Sequence, residues 1–100
     1  MKHSSTVELS VYPQRKRQSN QLPWNKHATC PGVYLKHVIT GAETDGKFSC
    51  HIVKVEAGAE ISNHTHQNNW EIHEVIEGSG LGYLGYQEIP YLPGTTVPVP

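Results

Sequence analysis

Apolar and β-branched residues recur along this chain in short runs rather than in long helical stripes. The runs are "GVYLKHVIT" over 32–40, "KFSCHIVKVEA" over 47–57, "WEIHEVIEG" over 70–78 and "TTVPVP" over 95–100. Each is rich in Val, Ile, Thr or aromatic residues and is bounded by glycine or proline, the composition of strands between turns. "TGAETDGK" over 40–47 predicts a turn or hairpin loop, because Gly41 and Gly46 supply unusual backbone angles and Asp45 favours turn closure. Glycines at 78, 80, 82, 85 and 94 punctuate the later segment and predict closely approaching strands with tight hairpins. Helix signals are nearly absent. The pattern predicts an all-β sandwich or barrel.

Composition narrows the functional classes. One hundred residues allow one small domain. We divide it into an amino-terminal arm over 1–23 and a barrel over 24–100. Eight basic against nine acidic residues give a formal net charge of −1, which provides no global field for nucleic acid or an anionic membrane. A small-molecule ligand or substrate is the expected partner. No apolar run approaches the roughly 18 residues of a membrane span, and the first ten residues lack the apolar stretch of a secretory signal. The expected location is therefore cytoplasmic. The basic cluster Arg15, Lys16 and Arg17 reads as part of a solvated arm, being short and without interleaved aromatics. Cys30 and Cys50 form no C-x-x-C pair and read as small half-buried thiols.

Chemistry concentrates in "GAEISNHTHQNNWEIHEVIEG", which runs from 58 to 78 and holds three of the seven histidines. His64 and His66 are two residues apart, so both imidazoles point to one side of an extended segment. Glu71 follows after the polar bend containing Asn68 and Asn69, where the chain can turn back and offer a carboxylate. Two imidazoles and a carboxylate form a shell of borderline hardness that suits divalent iron, manganese, zinc, nickel or copper. On these residues alone, an exposed polar loop is the competing reading.

The flanking glycines add specificity. Gly58, His64, His66, Glu71 and Gly78 match G-x5-H-x-H-x3,4-E-x6-G, and the stretch resembles the first motif of the cupin family at every defined position. "FSCHIVKVEAGAEI" before it and the glycine-rich segment after it resemble the family's flanking strands. The resemblance implies a double-stranded β-helix, a jelly-roll barrel with the metal in its mouth, and makes His64, His66 and Glu71 the metal ligands. The family's second motif, G-x5-P-x-G-x2-H-x3-N, begins at Gly94 and Pro100 and is then cut off, so the expected barrel is incomplete at its carboxyl end and lacks a fourth ligand.

"EIHEV" departs from the apolar residues usual between the family's Glu and Gly. Alternation puts His73 on the same face as Glu71 and Glu74 on the other. His73 is the candidate catalytic acid or base, with a substitute ligand or a hydrogen-bond partner of Glu71 as its other roles. His51 is in phase with Val53 and Val55 and is placed to face a cavity, whereas His37 has no partner in the sequence. Trp24, Trp70, Tyr83, Tyr86 and Tyr91 are candidates for pocket walls or core.

These features predict a metal-dependent small-molecule enzyme resembling the dioxygenases, isomerases or lyases of the family. A non-catalytic sensor of a ligand or metal, or an inactive fragment, is the alternative. Small cupins resemble dimers, so a homodimer is expected.

Overall fold

The computed structural model describes residues 17–62 and 69–100. The described residues form seven β-strands, all pairing antiparallel, and two 3-10 helices of three and four residues. No described helix is long and apolar enough to cross a membrane. The expectation of an all-β chain of short strands is met. Two compact units divide it, over 1–62 and 63–100.

The first unit is a three-stranded meander of β1 (Asn25–Lys26), β2 (Val33–Ile39) and β3 (Cys50–Val55). The predicted runs over 32–40 and 47–57 supply β2 and β3, while the two-residue β1 carries no periodic signal. Register sets Val33 opposite Val55, Leu35 opposite Val53 and His37 opposite His51, and a register shift follows between His37 and Ile39. Alternation therefore gathers these six residues on one face. Val33 is almost fully buried at 1% exposure, and burying a side chain of its kind contributes roughly 1.5–3 kcal/mol. The other face carries Tyr34, Lys36, Ile52 and Lys54. There Trp24 lies beneath two ammonium groups, Lys36 at 4.7 Å and Lys54 at 4.5 Å from its ring centroid.

The segment expected to form a turn or hairpin loop does connect the antiparallel strands β2 and β3, and within it lies the 3-10 helix Gly41–Thr44. Glu43 gives the loop this form. Its carboxylate folds back to accept the Thr40 backbone N–H at 3.0 Å and the Thr40 hydroxyl at 3.2 Å, satisfying donors that a helix start leaves unpaired. Asp45 closes the turn in the left-handed region at φ 56°, which a short polar side chain tolerates. Arg17, expected in a solvated arm, donates to the Val38 carbonyl at 2.9 Å and pairs with Glu43. This end of the arm thus lies along β2 and the 3-10 turn.

The second unit is built from β4 (Glu71–Glu74), β5 (Gly80–Leu84), β6 (Gln87–Tyr91) and β7 (Thr96–Val99). β4 pairs with β7, and the β5–β6 hairpin is nested between them in sequence. The predicted runs over 70–78 and 95–100 supply β4 and β7. The glycine-rich segment forms the hairpin: Leu84 pairs with Gln87 around a two-residue loop, and Gly85 at φ 60° provides the positive angle at its first position. Burial alternates along β4, with Glu71 and His73 half-buried and Ile72 and Glu74 exposed. Val97, opposite His73, is the buried residue of this face.

Candidate functional site

His64 and His66 lie outside the described residues, as do Asn63, Thr65, Gln67 and Asn68. The described part of the candidate site is built on β4. Glu71 and His73 share its inward face because they are two residues apart on a strand, and Glu74 points away.

His73 is held from both sides. Its Nε2 lies 2.8 Å from Glu71 Oε2, and its Nδ1 lies 2.9 Å from the Tyr91 hydroxyl. A carboxylate only accepts, so Nε2 donates in the bond to Glu71, and in the neutral tautomer that this bond selects Nδ1 is left to accept the Tyr91 O–H. A neutral imidazole satisfies both partners in this one tautomer. The Tyr91 phenol is raised above its ordinary value, first by burial and then by the Glu71 charge, so it remains a donor.

Tyr91 reaches His73 because the facing strand leaves room for its ring. Gly82 on β5 sits beside Tyr91 on β6, and a Cβ there would stand 2.5 Å from Tyr91 Cε1 and 3.0 Å from Cζ. No side chain larger than hydrogen fits without moving the ring. The chain Tyr91–His73–Glu71 thus draws on β6 and β4, with β5 contributing the space.

The other aromatic candidates do not join it. Tyr83, Tyr86 and Trp70 are largely exposed, and Trp24 serves the two lysines of the first unit. Tyr91 differs from Tyr83 in lying on the same side of its hairpin as Gly82 and Ile89, a distinction that depends on the register of β5 with β6.

Two further groups of titratable side chains stand in the first unit. His37 and His51 meet across β2 and β3 with Nδ1 atoms 3.0 Å apart. A shallow depression of about 290 Å³ is lined by Lys26, His27, Cys30, Pro31, Gly32, Val33 and Tyr34. Cys30 is buried, and a backbone hydrogen bond from Ser62 leads the interactions that hold its thiol below the ordinary value. Yet His27 Nδ1 accepts the backbone N–H groups of Thr29 and Cys30, each at 3.1 Å, so this nitrogen is not placed to take the thiol proton. Cys50, the other thiol, is exposed. Among the described residues no three His, Cys, Asp or Glu side chains gather as a metal-ligating group.

No protein-family model, no curated protein and no solved structure matches this chain.

Proposed function

We propose that the chain is a cupin-type metal-binding protein in which His64, His66 and Glu71 hold one divalent transition metal, and that it acts as a metal-dependent enzyme on a small molecule. The observation that carries this reading is the fixed carboxylate: Glu71 faces inward with Oε2 bound by His73 Nε2 at 2.8 Å, and His73 is itself anchored by Tyr91 at 2.9 Å. Carboxylate ligands of metals are commonly hydrogen-bonded in this way by a second layer of side chains. The nesting of the β5–β6 hairpin between β4 and β7 supports the jelly-roll reading, since such barrels wind antiparallel pairs around one another.

The residues fit a cation of borderline hardness, two imidazoles and one carboxylate being the donor set proposed from the sequence. A bound divalent ion would supply Lewis acidity, with dioxygen chemistry added in the case of iron. The described residues do the positioning. Glu71 offers negative charge in a fixed orientation, His73 restrains its carboxylate, and Tyr91 restrains the tautomer of His73. Both ring nitrogens of His73 are engaged, which favours a positioning role. For His73 to act as acid or base, the bond to Tyr91 or to Glu71 has to open first.

That same engagement favours a second reading, a non-catalytic sensor in which the site binds metal or ligand without turnover. Two measurements separate the outcomes. Metal-induced movement of the His66 imidazole ¹⁵N signals, lost in Glu71→Ala and in His64→Ala, supports the site, and an unchanged response at His66 in both variants overturns it. Dioxygen consumption or product formation by the metal-loaded protein with diketones, thiols or sugar acids supports the enzyme, and binding without turnover supports the sensor.

A further inference from the structure

His37 and His51 form a histidine pair that the sequence alone leaves unconnected, fourteen residues apart and on different strands. They are direct cross-strand partners on β2 and β3. Side chains in that relation begin about 4.5–5.5 Å apart at Cβ and reach toward one another. Here the two Nδ1 atoms approach to 3.0 Å, and the rings stand nearly perpendicular at 86° with centroids 5.0 Å apart. Both residues are exposed, so an ion reaches them without opening the fold.

The separation matches the bite of a chelated ion. Imidazole nitrogens bind zinc at about 2.0–2.1 Å, and at bond angles between square and tetrahedral two such nitrogens lie about 2.9–3.4 Å apart. The Nδ1 atoms fall within that span without movement of either strand. In the metal-free pair a proton bridges the two nitrogens, one ring donating and the other accepting. For both Nδ1 atoms to become ligands, the donating ring shifts its proton to Nε2, a tautomer change that leaves both rings neutral, as ligation requires. The pair on one side is Leu35 and Val53, which offer no ligand atoms, and the pair on the other is Ile39 and Cys50, whose exposed thiol follows a register shift. Water would complete the coordination shell.

We propose that His37 and His51 form a two-imidazole site for a divalent transition metal of the zinc or copper class, separate in its ligands from His64, His66 and Glu71. The strands hold the rings in place beforehand, so the second nitrogen binds at a high local concentration and affinity exceeds that of a single histidine by roughly tenfold or more.

The test is a Zn²⁺ titration of the full chain followed by imidazole ¹⁵N resonances, which report each ring separately. The expected result is that the Nδ1 signals of His37 and His51 move together and saturate at one ion per pair. His51→Ala should weaken the response at His37 by tenfold or more, and a double variant, His64→Ala with Glu71→Ala, should leave the pair's response unchanged. No shift at either ring up to millimolar Zn²⁺ overturns the proposal, as does a shift at only one ring. Loss of the pair's response in the His64/Glu71 variant also overturns it, by assigning the ion to the other set. Failure of the cupin-type site has a different signature, in which the His37 and His51 signals respond normally and His64 and His66 do not.

Discussion

His73 Nε2 stands 2.8 Å from Glu71 Oε2, two residues back along the same strand, and this contact ties a candidate ligand to a candidate acid or base. Because the imidazole is also held by Tyr91, the carboxylate is restrained by an element beyond its own strand. We expect His73→Ala to weaken divalent-metal binding about 10- to 100-fold, the usual effect of losing a residue that orients a ligand. Glu71→Ala should weaken it further. Competition titration with a chromogenic chelator in the His37→Ala/His51→Ala background measures both, and an affinity unchanged by His73→Ala would contradict the positioning role.

Tyr91→Phe removes one hydrogen bond and keeps the ring. It should cost about 0.5–1.5 kcal/mol in denaturant unfolding, the net value of a typical intramolecular hydrogen bond. It should also weaken metal binding in the same direction as His73→Ala but by less. A Tyr91→Phe variant with metal affinity lower than that of His73→Ala would mean that Tyr91 acts other than through His73.

Gly82→Ala tests the space that Tyr91 occupies. An added Cβ meets the ring at 2.5 Å, so either the ring or the hairpin must shift. Overpacking of this kind costs about 1–3 kcal/mol. The added substitution Tyr91→Ala removes the obstacle, so the double variant should lose less stability than the two single losses added together. Strict additivity would show that Gly82 and Tyr91 do not meet.

Much of this was legible in the sequence, and the limits follow from its periods. Alternation is local, so β2, β3, β4 and β7 could be placed from their own residues, and so could the shared face of Glu71 and His73. β1 has only two residues and gives no period to read. The glycines after Thr40 signal the turn, but its 3-10 form is not legible from them because the stabilising contact runs from the Glu43 carboxylate backward. Tyr91 as the partner of His73, and His51 as the partner of His37, depend on strand register between segments. No single segment contains that information.

Glu43 predicts a dependence on acid. The Thr40 backbone N–H, followed by the Arg17 side chain, holds its carboxyl below the ordinary glutamate value of about 4.3. A value depressed by folding means that the stabilisation is complete above the ordinary value and is lost as pH falls through the lower, folded one. A carboxyl ¹³C titration should give Glu43 a midpoint below the ordinary value. Arg17→Ala should raise it only part of the way, since the Thr40 contact remains. A midpoint at or above the ordinary value would contradict the capping contact.

The proposed function stands on one divalent ion held by His64, His66 and Glu71. X-ray absorption on the His37→Ala/His51→Ala variant loaded with one equivalent of Zn²⁺ tests it most directly, because the other proposed site has been removed. The expected shell contains two imidazole nitrogens and carboxylate oxygen, with the imidazole scattering diminished in His64→Ala. An all-oxygen shell, or a protein that retains no zinc after dialysis, would contradict it.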